Sequence, residues 1–123
     1  MSTRYTKDHE WVKLDGDVAT IGISQYAADQ LGDVVYAETP AAGATFEKGA
    51  DMAVVESAKA ASDVYAPIAG TVVEANGALA TQPDLINQSP EGDGWFVKIK
   101  VANKADIDGL MDEAAYADYV KGL

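Results

Sequence analysis

The chain is predicted to be mainly β: a sandwich or barrel of short strands with small peripheral helices and a helical C-terminal segment. Three observations predict this. Short runs rich in Val, Ile, Tyr and Trp recur along the chain, separated by turn signals such as Asp15-Gly16, Lys48-Gly49 and Asn76-Gly77. The last twenty or so residues instead carry apolar side chains at helical spacing. A length of 123 residues with 48% hydrophobic content suits one core, and no linker or low-complexity stretch divides it. The expected organisation is a single domain over residues 1–123, with the core over about 10–101 and the helical segment over about 103–121.

In order along the chain, Glu10-Trp11-Val12-Lys13-Leu14 alternates, and residues 18–23 form a second run after Asp15-Gly16. Asp-Gly between such runs predicts a tight hairpin with positive φ at both turn positions. Ser24 suits a helix N-cap, residues 25–31 a short helix, and Gly32 its stop. Residues 33–38 return to strand, Pro40 and Gly43 mark a loop, and Lys48-Gly49 marks a turn. Strands at 52–55 and 64–66 flank a tip at Lys59, and residues 70–75 form the next strand, with Gly70 and Gly77 as turn residues. Residues 83–87 suit a short helical turn opened by Pro83, and residues 89–94 a loop. Trp95, Val97, Ile99 and Val101 then alternate with Phe96, Lys98 and Lys100, the pattern of a half-buried strand. Ile107, Leu110, Met111, Ala114 and Ala115 recur at helical spacing, followed by Tyr119 and Val120. Asp112-Glu113 is placed to divide this segment into two helices covering one face of the β core.

Composition removes several classes of function. The net charge is −11, from 20 acidic and 9 basic residues. Nucleic acids and anionic membrane surfaces attract Lys and Arg, so neither is the expected partner. The charge fits two readings, solubility alone or steering toward basic patches on partner proteins. Cysteine is absent, which excludes disulfides, a thiol nucleophile and thiolate metal sites. Residues 1–8 lack the apolar run of a secretory signal and the Arg- and Ser-rich character of a transit peptide. No apolar run approaches the ~20 residues of a membrane span. A cytoplasmic location is expected.

Lys59 carries the strongest functional signal. On spacing alone a surface lysine is a solvated side chain. Here small residues surround it (Ser57, Ala58, Ala60, Ala61 and Ser62), so a modifying enzyme can approach without obstruction. The strand-like flanks hold the tip, and Glu56 and Asp63 bracket it where a docking enzyme would read them. The single histidine, in His9-Glu10-Trp11, has no second histidine or cysteine to share a metal and no nucleophile beside it in sequence. Trp11 is expected in the core, with His9 at a strand start. Gly92 and Gly94 are not followed by the Lys-Ser or Lys-Thr of a phosphate loop, and the acidic residues lack calcium-loop spacing. Neither a catalytic residue nor a metal ligand is expected.

The run Glu56-Ser57-Ala58-Lys59-Ala60-Ala61-Ser62-Asp63, continuing through Val64-Tyr65-Ala66-Pro67-Ile68-Ala69-Gly70, closely resembles the lipoyl-lysine hairpin of the glycine cleavage system H proteins. The resemblance covers nearly the whole chain. It takes in residues 5–12, 21–27 and 31–36, then Leu85-Ile86-Asn87, Gly94-Trp95 and Lys98-Ile99-Lys100. One departure is Ala58, where that family usually has valine. Biotin carriers place methionines on both sides of their lysine, and lipoyl domains of 2-oxoacid dehydrogenases usually have aspartate before it. Both are weaker matches to Ala58-Lys59-Ala60.

The resemblance implies a flattened sandwich or barrel of the lipoyl/biotinyl-carrier (hammerhead) type, and a carrier rather than an enzyme. Lys59 would bear lipoate as N6-lipoyllysine, on an arm with a reach on the order of 14 Å, about a dozen bonds. Glu56, Ser57, Ala58, Ala60 and Asp63 would be read by the lipoylating enzyme, and His9, Glu10 and Asp63 would face the loaded arm. The implied partners are those of glycine catabolism and one-carbon metabolism. A pyridoxal-phosphate glycine decarboxylase (P protein) loads an aminomethyl group, and a tetrahydrofolate-dependent aminomethyltransferase (T protein) unloads it. Dihydrolipoamide dehydrogenase (L protein) then reoxidises the dithiol. A monomer is expected. The same lysine would also serve a lipoate relay to other lipoyl domains, and an unmodified binding module would retain the fold without the arm.

Overall fold

The computed structural model describes residues 3–123. Nine strands form two sheets. Strands β1 (Thr3–Tyr5), β2 (Glu10–Asp15), β3 (Val18–Ile23), β5 (Thr45–Phe46), β8 (Gly70–Ala75) and β9 (Val97–Val101) make a six-stranded sheet in the order β1-β2-β3-β9-β8-β5. Strands β4 (Val34–Glu38), β6 (Asp51–Ser57) and β7 (Ala61–Tyr65) make a three-stranded sheet in the order β4-β6-β7. All pairings are antiparallel. Among the described residues there are also five short helices: α1 (Gln25–Leu31), α2 (Ala78–Thr81), α3 (Leu85–Gln88), α4 (Ala105–Asp108) and α5 (Glu113–Lys121).

The period-2 alternation of β2 sets up two apolar clusters. Val12 faces the space between the sheets, with Ile21, Val72, Val97 and Ile99 from its own sheet and Phe96 just before β9. Met52, Ala53, Val55 and Val64 close on them from the smaller sheet, and Ala28, Leu79, Ile86 and Ile107 from the helices. Trp11, on the opposite face, joins Tyr5 and Tyr116 in a second buried cluster under α5. Gly22 makes this possible: a Cβ there would stand 2.8 Å from Trp11 Nε1, so only glycine lets the indole lie flat against β3. The indole N–H donates to the Pro90 carbonyl at 2.9 Å and finds a partner although buried.

The β2–β3 hairpin is closed by Gly16 and Asp17, since Asp15 pairs with Val18. Only Gly16 has positive φ (+64°), so the turn has glycine at its first central position in the manner of type II′, not the two positive-φ positions expected from Asp15-Gly16. The Ser24 cap forms as expected, its hydroxyl accepting the Ala27 N–H at 3.2 Å. Gly70 is not a turn residue. It opens β8, where a Cβ would stand 2.3 Å from the Lys100 carbonyl oxygen. Phe96 does not alternate outward with the lysines. It precedes β9, is fully buried, and donates its N–H to Ile21 while its carbonyl accepts from Asn76. At the C-terminus Ala114 and Ala115 are exposed, and Tyr116 is the inward residue of α5. Asp112 caps α5, accepting the Ala115 N–H at 2.8 Å, and so divides the helical segment. Among the described residues, no helix is long and apolar enough to cross a membrane.

Phe96→Ala empties the centre of the main core and is expected to lower the unfolding free energy by about 3–5 kcal/mol. Ala115→Ser, on the exposed face of α5, is expected to change it by less than about 0.5 kcal/mol. Denaturant titration of both variants checks the assignment of inside and outside.

Candidate functional site: a lysine hairpin beside a cleft

Lys59 stands at the tip of the β6–β7 hairpin, where Glu56 pairs with Ala61 and the Ser57 N–H donates to the Ala60 carbonyl at 2.7 Å. The Ser57 side chain builds the turn from inside. Its oxygen accepts the N–H groups of Lys59 (3.2 Å) and Ala60 (3.1 Å), and its hydroxyl donates to the Ala60 carbonyl (3.2 Å). Ser57 is therefore buried and engaged, whereas Glu56, Ala58, Lys59, Ala60 and Asp63 are exposed. The tip is also tied sideways, since the Ala58 N–H donates to the Asp33 carbonyl at 3.0 Å.

The segment after α1 that receives this bond is itself held. Asn87 accepts the Val34 N–H at 2.8 Å and donates to the Gly32 carbonyl at 2.7 Å. Gly32 has φ +75° and ψ −152°, a backbone region open only to glycine, where other residues carry a strain of about 1–3 kcal/mol. The Lys59 side chain lies over this glycine: a Cβ on Gly32 would stand 3.0 Å from Lys59 Cε. The reading of Gly32 as a helix stop was correct but missed this contact. Sequence carries no local sign of it, because residues 32, 59 and 87 meet only through the fold.

A cleft of about 250 Å³ opens between α1 and the hairpin. His9, Glu10 and Asp63, separate in sequence, all line it, with Tyr26, Leu31 and Val55 among the apolar part of its wall. Glu56 and the tip alanines do not line it. A second hollow, of about 300 Å³, borders Glu10 on the side of Tyr5, Lys48 and Met111. It lacks α1 residues, whereas the smaller cleft includes Leu31, next to the glycine under Lys59.

Glu10 is the buried charge of the site, only 2% exposed. Its carboxylate accepts the Thr6 hydroxyl at 2.8 Å and the Tyr65 N–H of β7 at 3.2 Å. Burial pushes its pKa up from 4.5 to about 7, against the lowering effect of those two hydrogen bonds. His9 has φ +70°, the one described non-glycine residue with positive φ. Its carbonyl accepts the Ser24 N–H at 2.8 Å, and its Nδ1 lies 2.7 Å from the Tyr116 hydroxyl, which also meets Ser24 Oγ at 2.7 Å. Burial lowers the His9 pKa and so favours the neutral ring. Tyr116 stacks on Tyr5 with ring centroids 4.4 Å apart, so α5 braces the floor from which His9 and Glu10 project. Tyr116 was not singled out in the sequence, where the exposed Ala114 and Ala115 fitted the helical spacing instead.

Two sheets packed on a common core, one lysine at a hairpin tip and a cleft beside it place the chain in the lipoyl-carrier class of folds. The family model described as "Glycine cleavage H-protein" matches residues 3–122. The chain is 60% identical to the glycine cleavage system H protein of Caulobacter vibrioides (strain NA1000 / CB15N), over 98% of this chain and 99% of that one. It is 62% identical to that of Phenylobacterium zucineum (strain HLK1), over 95% and 97% of the two chains. The crystal structure of a glycine cleavage system H protein from Mycobacterium marinum superposes with a TM-score of 0.89 at 34% identity, covering 99% of this chain and 98% of that one. The chain belongs to the glycine cleavage H-protein family.

The Glu10 pKa generates a pH prediction. Its folded value, about 7, lies above its ordinary 4.5, so the native state binds a proton more tightly than the unfolded chain. The stability this contributes is full below about pH 4.5 and is lost as pH rises through about 7. At about 1.4 kcal/mol per unit it amounts to roughly 3 kcal/mol. Denaturant titrations from pH 4.5 to 8 are expected to show that decline in the wild type and most of it absent in Glu10→Gln.

Proposed function

We propose that Lys59 carries lipoate through an amide on Nζ and that the chain serves as the mobile carrier of the glycine cleavage system, not as a catalyst. The observation that carries this reading is the position of Lys59, exposed on a turn fixed by Ser57 and Asp33, beside a cleft of mixed character. The residues fit the group. Ile23, Leu31, Val55 and Val64 offer apolar wall to a hydrocarbon arm, and Glu10 and Asp63 add carboxylates at the same cleft. Lipoate bound at Lys59 supplies the sulfur chemistry that takes up and releases an aminomethyl cargo, in a chain that has no cysteine of its own.

The chain's own part is position, enclosure and recognition. The turn keeps Lys59 exposed where a lipoylating enzyme would reach it, with Glu56, Ala58, Ala60 and Asp63 exposed around it and Ser57 shaping the turn from within. Glu10 and Asp63 suit an amine cargo, because carboxylates hold a cation by charge-assisted hydrogen bonds. A cation arriving at Glu10 lowers its pKa, so such binding strengthens as pH rises through about 7. His9 is kept neutral by burial and adds no opposing charge. The partners that follow are the decarboxylase, the aminomethyltransferase and the dihydrolipoamide dehydrogenase of the system. The surplus of 20 acidic over 9 basic residues favours encounter with basic docking patches on them.

Intact mass and peptide mapping on protein from its native cells test the attachment: a lipoyl-sized increment on Lys59 is expected, and unmodified lysine in cells that make lipoate would overturn the reading. Lys59→Arg keeps the charge but cannot form the amide. It is expected to fold normally and to abolish glycine cleavage in the reconstituted system. Raising salt from about 0.05 to 0.5 M is expected to slow transfer between partners, since screening lengths fall below 10 Å over that range. A flat salt profile would remove the steering role alone.

A further inference from the structure

The Lys59 side chain meets Gly32 with no ion pair among the described residues to fix it there. Lys59 is exposed. Nevertheless its side chain lies over a glycine whose backbone conformation strains any other residue. That glycine is pinned by Asn87, through the Gly32 carbonyl on one side and the Val34 N–H on the other. The next carbonyl, that of Asp33, holds the hairpin tip through the Ala58 N–H. Three residues in a row therefore fix the surface beneath Lys59 and the backbone that carries it. Gly32 also ends α1, whose last turn has no basic side chain of its own, so the lysine ammonium comes to a helix end that favours positive charge.

We propose that Gly32, clamped by Asn87, is a seat that orients the unmodified Lys59 side chain for acylation, and that acylation releases the side chain from it. Gly32 and Asn87 are thus positioning residues for arm attachment. The inference rests on the carrier reading of Lys59 and deepens it. In the attachment step the ammonium first gives up a proton. The Nζ lone pair then forms the C–N bond to the carbonyl carbon of an activated lipoyl group, the activating group leaves with its bonding pair, and the nitrogen sheds a second proton. The attraction to the α1 terminus ends when the ammonium loses its proton, so the seat holds the reacting amine by packing on Gly32, and the bulkier neutral amide is free to leave it. A lysine held in one orientation meets the acyl group without first having to find that geometry, which is an effect on kcat rather than on docking.

Two measurements test this. In the NMR spectrum of the unmodified wild-type protein, Lys59 ε protons are expected to show cross-relaxation with Gly32 α protons, and the signal is expected to vanish after lipoylation. In steady-state lipoylation by a lipoate–protein ligase with lipoate and ATP, Gly32→Ala and Asn87→Ala are expected to lower kcat about tenfold with KM little changed. Asn87→Asp keeps the acceptor for Val34 but loses the donor to Gly32, and is expected to fall between them and the wild type. A variant that is merely less folded would lose active concentration in proportion to its unfolded fraction, so circular dichroism of each sample separates that effect. The seat is overturned if the wild type is lipoylated at Lys59 yet shows no Lys59–Gly32 signal, or if folded Gly32→Ala keeps the wild-type kcat. If the wild type takes no lipoyl group at Lys59, the carrier reading fails and the seat fails with it.

Discussion

The site depends on one buried carboxyl group. The two sheets are separate hydrogen-bonded ladders, and apolar packing between them is non-directional. Glu10 supplies a directed link. It starts β2 in the larger sheet and accepts a backbone N–H from β7 in the smaller one, the strand that runs back from the lysine tip. Burying a carboxyl is costly unless its oxygens are satisfied, and Thr6 and Tyr65 satisfy these. The arrangement thereby fixes how the hairpin sits against the floor of the cleft. Its raised pKa is the trace of that burial, and leaves a titratable group near neutrality at the edge of the cleft.

A carrier must combine a rigid point of attachment with a free arm. The rigidity here comes from backbone bonds and small side chains, not from bulk around the lysine. The Ser57 hydroxyl closes the turn, the Asp33 carbonyl anchors its side, and Asn87 holds the segment that bears Asp33. Lys59 itself stays exposed, so firmness and access do not compete. The second aromatic cluster serves the opposite wall. Tyr116 reaches from α5 to Ser24 and His9, which joins the C-terminal helix to the N-cap of α1 and to the strained backbone before β2. The C-terminal segment does more than cover a sheet face: it braces the residues that line the cleft.

Much of the local structure was legible because its causes are local. Ser24 and Gly32 bound α1 through the cap and stop chemistry that their side chains dictate. The alternation of β2 survives only from Val12 onward, because at Trp11 the face away from the main core is buried in the second aromatic cluster. The errors lie where a distant partner intervened. Phe96 breaks the alternation before β9 because Ile21 and Asn76 hold its backbone and the core takes its ring. The short strands β1 and β5 carry little signal of their own and exist through pairing with β2 and β8. Tyr116 outcompetes Ala114 and Ala115 for the inward face because Tyr5 offers a ring to stack on.

By itself, the sequence determined the β-rich class, the caps, the absence of thiol chemistry and the one lysine set among small residues at a strand junction. These follow from backbone propensity, side-chain type and order along the chain. Only the tertiary structure decided that His9, Glu10 and Asp63 share a cleft, that Ser57 turns inward, and that Gly32 and Asn87 lie under and behind Lys59. Burial and contact are properties of the packed chain. No residue's own chemistry specifies which distant segment removes its water or fills the space left by a missing side chain.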